Sequence, residues 1–397
     1  MRLRPLAGIR VLDLTRVISG PFCSRLLLSL GAEVLKIENP RGGDDARFFA
    51  PFRADGESVF FGLLNSGKQS VALDLKSEAG RSLLLRLAAH ADVLMDNFAP
   101  GTLERLGIDP AAIEERCPRL IQLSISGFGA GTPVSARPAY DATIQALSGL
   151  MQATGFPDSP PLLLGEAVVD QITALYAAIA IEAALLERER TGRGQRLDLS
   201  MLDAMLATMT EYVSAFGGGR TPQRSGNRHP ISAPYNCYSC RDGYVVVAAA
   251  NDRLFERLAR AMDHPAWLED PRYRSDALRR ENVEALDREI EAWTGARTAA
   301  EVSRAVVAAG VPCAAVQDLG EALEMLESLG RPNRVPVDGP RPLKVPVLPW
   351  VAAGEAESGD AASVPRLGGA TGEVLGRLLD VRAEEIALLA AEGVIGT

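Results

Sequence analysis

Hydrophobic and polar positions along the first half of this chain fall into blocks whose period switches between that of a strand and that of a helix. Ile9 to Leu14 is an apolar run that ends at Thr15, passes through Gly20-Pro21 and gives way to an amphipathic stretch, Phe22 to Leu30. Gly31-Ala32 separates that helix from a second apolar strand, Glu33 to Ile37, so the opening is a βαβ unit with a short crossover. The alternation continues with a strand at Val71 to Leu75, a helix over Glu78 to Ala89, a strand at Val93 to Met95, a helix around Gly101 to Leu106 and a strand at Leu120 to Ser124. Five strands alternating with helices predict a parallel α/β sheet. Ligands in such sheets sit at the carboxyl ends of the strands, which singles out the loops Arg16 to Pro21, Glu38 to Asp44 and Asn97 to Pro100.

Further on, a small-residue helix from about Asp170 to Arg190 ends at Thr191-Gly-Arg-Gly194, and Gln195 to Leu199 has the pattern of another strand. Residues 214 to 230 are rich in Gly, Arg, Ser, Asn and Pro and lack periodicity. Tyr235 to Cys240 and Tyr244 to Ala249 predict a strand pair joined at Asp242-Gly243, followed by helices over 252 to 262 and 282 to 309. The last thirty residues return to helix at Gly372 to Leu379 and Ala383 to Glu392. The expected division is a large α/β domain over 1–200, a linker over 201–230, a smaller α+β domain over 231–330, and an extended return with C-terminal helices over 331–397.

At 397 residues, two domains are the default. A hydrophobic fraction of 47% and a charged fraction of 23% are ordinary for a globular protein. The apolar runs are broken by charge well before the roughly 20 residues that cross a bilayer, so no membrane association is expected. Charges at Arg10, Asp13 and Arg16 interrupt any leader-like apolar core, and the expected location is the cytoplasm. Five scattered cysteines fit a reducing compartment. Cys237 and Cys240 form a CxxC pair without a second pair at zinc-like spacing, so no metal is expected. A net charge of −9 argues against a nucleic-acid surface.

Gly127-Phe-Gly-Ala-Gly131 follows a strand but lacks the dinucleotide spacing, and no P-loop, HExxH or GxSxG motif is present. The three histidines, His90, His229 and His264, lie far apart. The residue that stands out is Asp170, which follows Leu164-Gly-Glu-Ala-Val-Val169 and opens a helix of small residues. An acid there is equally an N-cap, accepting backbone N–H groups, or an ionised nucleophile that small neighbours leave open to an acyl group. Local physics does not choose between the two.

A series of segments resembles the class III CoA-transferases, the CaiB/BaiF type that includes formyl-CoA transferase. These are Leu6-Ala-Gly-Ile-Arg-Val-Leu-Asp-Leu-Thr15, Gly31-Ala-Glu-Val-Leu-Lys-Ile-Glu-Asn-Pro40, Asn65-Ser-Gly-Lys-Gln-Ser-Val-Ala-Leu-Asp-Leu-Lys76 and Asp96-Asn-Phe-Ala-Pro-Gly101, then Thr191-Gly-Arg-Gly-Gln-Arg-Leu-Asp-Leu-Ser-Met-Leu-Asp203 and the closing Leu375 to Ile395. The resemblance implies a Rossmann-like large domain completed by the C-terminal segment, a smaller α+β domain, and an interlocked homodimer with two chains threaded like linked rings. It implies Asp170 as nucleophile, and Val17, Ile18, Asn39, Leu73, Lys76, Asn97, Phe98 and Arg105 as the residues around coenzyme A. The thioester enters as substrate, with no prosthetic group. Lys76 and Arg105 would meet phosphates by charge-assisted bonds.

The chain also departs from that pattern. Asn39 stands where formyl-CoA transferase has an arginine, leaving Arg41 or Arg16 to replace the contact, and that enzyme's glycine run is missing around His229 to Tyr235. Formyl and oxalyl substrates are therefore not implied. The alternative within the family, an α-methylacyl-CoA racemase, needs a histidine where this chain has Tyr140 in Ala139-Tyr140-Asp141. Arg137, Tyr140 and Asp141 are expected to line the acyl pocket, the arginine suiting a second carboxylate. The expected reaction moves CoA from an acyl-CoA donor to a free carboxylic acid, with small dicarboxylic acids the leading candidates, through an aspartyl anhydride and an aspartyl-CoA thioester.

Overall fold

The computed structural model describes residues 4–330, 334–337, 343–346, 348–350 and 363–397. They divide into two compact units, one formed by Met1–Ser148, Leu164–Gly218 and Arg331–Thr397, the other by Gly149–Leu163 and Gly219–Gly330.

In the first unit, β1 (Arg10–Asp13), β2 (Glu33–Glu38), β3 (Gln69–Leu73), β4 (Val93–Asp96), β5 (Ile121–Ser126) and β6 (Arg196–Ser200) make a parallel sheet in the order 3-2-1-4-5-6. That order reverses between β1 and β4, so the crevice at their carboxyl ends is where a ligand is expected. Strands β1 to β5 are buried on both faces, as a covered parallel sheet requires. Val11, Leu12, Leu35, Val71 and Met95 are almost wholly sequestered.

The second unit is built on β7 (Tyr235–Ser239), β8 (Tyr244–Ala248) and β9 (Cys313–Ala315), all antiparallel. Its core joins Tyr238, Val245 and Val247 to Phe255, Leu258, Ile290 and Val306 from the helices. The expected helix over 282–309 is two helices, Val283–Gly295 and Ala299–Ala308, because Thr298 and Glu301 form a capping box that starts the second.

Of the expected extended return, β10 (Arg334–Val337) and β11 (Leu343–Pro346) pair antiparallel, while residues 338–342 and 351–362 lie outside the described residues. The chain then adds helices Thr371–Leu379 and Ala383–Ala391 and the short β12 (Ile395–Gly396), antiparallel to β3. Val374, Leu375 and Ile395 enter the core of the large sheet.

Residues 201–217, expected within a linker, are helical, as Met201–Thr208 and Thr210–Gly217. Ser200 accepts the Asp203 N–H as N-cap, and Met201, Ala204 and Met205 recur at helical spacing and are buried. Helix Val168–Thr191 is 24 residues long and apolar enough to cross a membrane by length and composition. Its Val169, Thr173, Ala177, Ile181 and Ala184 are buried, and the alanines let helix Ser19–Ser29 pack close.

Candidate active site

The crevice is shaped first by the loop after β1. Val17 sits at φ 68°, a left-handed conformation that a β-branched residue resists. Its N–H donates to Asp44 Oδ1 at 3.1 Å. Asn97, at the end of β4, brackets the preceding residue, accepting the Arg16 N–H at 2.9 Å and donating to the Arg16 carbonyl at 2.8 Å. Asp96 holds the neighbouring turn by accepting the Phe98 N–H at 3.1 Å and the Ser124 hydroxyl at 2.7 Å. Burial nevertheless pushes Asp96 up to about 6.

Asp170 is the third residue of its helix, whose N-cap is Ala167 and has no side-chain cap of its own. The capping acceptor comes from elsewhere. Asp141, first residue of helix Asp141–Leu147, takes the Val169 N–H at 2.7 Å and the Asp170 N–H at 3.3 Å on Oδ1, while Gln145 Nε2 donates to its Oδ2 at 2.6 Å. The N-cap reading of Asp170 is thus replaced by a borrowed cap, which leaves the Asp170 carboxylate facing a cleft.

That cleft, about 250 Å³, is lined by Arg16, Val17, Ile18, Ser19, Asn97, Phe98, Arg137 and Tyr140 as well as Asp170. Burial and then the Asp141 charge push Asp170 up to about 7, against the pull of the Ser19 hydroxyl. Arg16 is paired with Asp45 at 3.3 Å, whereas Arg137 makes no ion pair among the described residues and lies 5.9 Å from the Phe128 ring centroid. No histidine lines this cleft among the described residues.

A second cleft of about 440 Å³ is lined by Asn39, Arg41, Gly42, Leu73, Lys76 and Thr102, and it shares Arg16, Asp45 and Phe98 with the first. The pair therefore forms one path from Lys76 to Asp170. Gly42 and Gly43 both have positive φ, which lets the loop turn tightly there. Asn39 is exposed and turned onto its own loop, accepting the Arg41 N–H at 2.9 Å, and Arg41 is the guanidinium that lines the cleft beside it.

Two expected site residues line neither cleft. Arg105 donates to Thr102 Oγ1 at 2.7 Å, beside the shared rim, and Asp141 is turned to the helix terminus. Ser19 and Asp45 were not singled out in the sequence. Only their fall within the loops Arg16 to Pro21 and Glu38 to Asp44, or next to them, hinted at a role.

Fold and crevice together define an α/β protein with the Asp170 carboxylate in one of two clefts that share Arg16, Asp45 and Phe98. The chain matches the model for "CoA-transferase family III" over residues 6–371. It is 39% identical to the acetyl-CoA:oxalate CoA-transferase of Acetobacter aceti over 82% of this chain and 84% of that protein. It is 34% identical to the succinyl-CoA–D-citramalate CoA-transferase of Chloroflexus aurantiacus over 99% and 98% of the two chains. The crystal structure of a CaiB/BaiF family protein from Brucella suis superposes with a TM-score of 0.83 at 33% identity, covering 94% of this chain and 99% of that one. The chain belongs to CoA-transferase family III, whose members use CoA thioesters as substrates.

Proposed function

We propose that the protein transfers CoA from an acyl-CoA donor to a small dicarboxylic acid, with Asp170 as covalent nucleophile. The observation that carries this reading is the Asp170 carboxylate, freed from helix capping by Asp141 and set at the end of the channel that begins at Lys76. A nucleotide at Asn39, Arg41 and Lys76 would direct the pantetheine past Arg16 and Phe98, which line both clefts, to a thioester at Asp170.

In the forward half, an Asp170 oxygen attacks the thioester carbonyl, the C–S bond breaks, and CoA thiolate leaves an acyl-aspartyl anhydride. The thiolate then attacks the aspartyl carbonyl, the anhydride C–O bond breaks, the donor acid departs as carboxylate, and aspartyl-CoA remains. An acceptor carboxylate attacks that thioester, releasing thiolate, which takes the acceptor acyl group and returns Asp170 to its carboxylate. No water, redox partner or net proton enters the balance.

Arg137 supports a dicarboxylate acceptor: its charge is unmatched by any carboxylate among the described residues, and it lines the same cleft as Asp170. The two relatives named above are transferases for oxalate and citramalate. The racemase alternative lacks its histidine, Tyr140 standing at that position. The reading includes a homodimer working in the cytoplasm, in keeping with five cysteines that are all free thiols.

The test is intact-mass spectrometry of wild type and Asp170→Asn with succinyl-CoA, acetyl-CoA and other acyl-CoAs, trapped with hydroxylamine or borohydride. A modification localised to Asp170 and absent from the variant is expected. Exchange of the α proton with deuterated solvent, without any adduct, would replace this reading with a racemase.

A further inference from the structure

Three signature segments of the sequence, together with Asp44, converge under the loop that follows β1, and they meet there as buried charges. Lys36 and Asp44 are fully buried and 2.9 Å apart. Lys68 and Asp13 form a second such pair at 3.1 Å. Neither pair lines the Asp170 cleft.

What these groups hold is backbone. Lys36 Nζ donates to the Thr15 carbonyl at 2.9 Å, Asp44 Oδ1 accepts the Val17 N–H at 3.1 Å, and Lys68 Nζ donates to the Pro21 carbonyl at 3.0 Å. Asn97 takes both backbone groups of Arg16. The loop is thus fastened at Thr15, Arg16, Val17 and Pro21 by side chains from four different parts of the chain. Asp44 Oδ1 also accepts the Ala46 N–H at 2.9 Å, and its Oδ2 faces the Lys36 ammonium. Burial disfavours the Lys36 ammonium, but Asp13, Asp44 and Glu38 outweigh it and hold its pKa above the ordinary value.

A buried ion pair is a poor way to gain stability, since apolar residues of similar volume often do as well or better. A β-branched residue at φ 68° is likewise a conformation that persists only where its surroundings over-determine it. Val17 lies immediately before Ile18 and Ser19, which line the cleft with Asp170, the ion pair holds Thr15 and Val17 on that side, and the Ser19 hydroxyl interacts with the Asp170 carboxylate.

We propose that Lys36 and Asp44 are positioning residues for acyl transfer: the pair maintains the left-handed Val17 turn, which sets Ile18 and Ser19 against Asp170. The inference rests on the reading of Asp170 as nucleophile. It makes the pair dispensable for folding but not for the rate at which Asp170 meets a thioester, and because Asp44 also lines the cleft assigned to CoA, that rate is compared at saturating acyl-CoA.

The test uses the full-length protein and the double variant Lys36→Met/Asp44→Leu, which removes both charges together so that neither is left buried and alone. Asp44→Asn, which keeps an oxygen for the Val17 N–H, is the conservative comparison. Three quantities are read: the thermal midpoint, the dissociation constant for CoA, and the rate of hydroxylamine-sensitive adduct formation from succinyl-CoA. A displacement of about 1 Å at a reacting group costs roughly 10²-fold in rate. The double variant is therefore expected to lose on the order of 10²-fold in adduct rate at saturating succinyl-CoA with the thermal midpoint retained, while Asp44→Asn, in which Lys36 keeps Asp13 and Glu38 as counter-charges, recovers most of the rate. An unchanged adduct rate in the folded double variant overturns the proposal. So does a collapse of the thermal midpoint in step with the rate, which would make the pair structural. If wild type itself forms no adduct at Asp170, the reading of the nucleophile fails instead.

Discussion

Asp170 must be ionised to attack, yet burial and the carboxylate of Asp141 push its pKa up to about 7. In the free enzyme, adduct formation from an acyl-CoA should rise with pH and reach half its plateau near 7. The stability consequence has the opposite sign. A folded pKa of about 7 against an ordinary 3.8 means a contribution present below pH 4 and lost as pH rises through 7. Asp170→Asn escapes that loss, so it should be more stable than wild type at pH 8 by about 1–3 kcal/mol, with the gap closing toward pH 4. Urea titrations at pH 8 and pH 4.5 measure both ends, and equal stability at pH 8 would refute the claim.

Asp141 separates the two effects it exerts. Asp141→Asn keeps an oxygen for the Val169 and Asp170 N–H groups and removes the charge, so the midpoint of the pH profile should fall while the helix stays capped. Asp141→Ala loses the cap as well and should cost about 1 kcal/mol more. The sequence could not choose between cap and nucleophile for Asp170 because the acceptor that resolves the matter lies 29 residues away. It comes from the short segment whose Tyr140 and Asp141 drew attention only as pocket lining.

Among the elements, the strand and helix order of the first half is legible because burial writes a period into the sequence. The predicted strands at Ile9 to Leu14, Glu33 to Ile37, Val71 to Leu75, Val93 to Met95 and Leu120 to Ser124 overlap β1 to β5. What the pattern leaves out is governed by contact rather than period. β12 has two residues and exists by pairing with Leu73 and Ala72, and the helices after Ser200 fall at the edge of a glycine-rich stretch that obscures them. Gly127 shows how such contacts reach the site. A Cβ added there would meet Ala139 Cβ at 2.3 Å, where the end of β5 supports the loop bearing Arg137 and Tyr140. Gly127→Ala should therefore cost about 1–3 kcal/mol through overpacking. It should also raise KM for the acceptor acid more than for acyl-CoA, because Asn39 and Lys76 lie on the other cleft. Equal changes in both constants would disconnect this contact from the acceptor.

At the scale of the whole molecule, helix Val168–Thr191 presents one buried and one exposed apolar side. One side of Val168–Thr191 is buried in the large unit, while Leu175, Ile179 and Leu186 recur at spacings of four and seven along it and are 49%, 61% and 70% exposed. The nearby sequence adds Leu206, Val213 and Phe216, also exposed. Apolar residues at this spacing suit an interaction face, and the homodimer proposed above would seat a second copy of the chain there. Light scattering should then give about twice 42.3 kDa, unchanged on dilution. Ile179→Glu with Leu186→Glu should abolish that mass and, since the same helix carries Asp170, the activity with it. Threading makes a sharper demand than contact. Two linked rings cannot part while folded, so exchange between differently tagged dimers should proceed no faster than global unfolding measured in the same buffer. Rapid exchange at full activity would leave a dimer joined face to face, and a fully active single-chain mass would leave none.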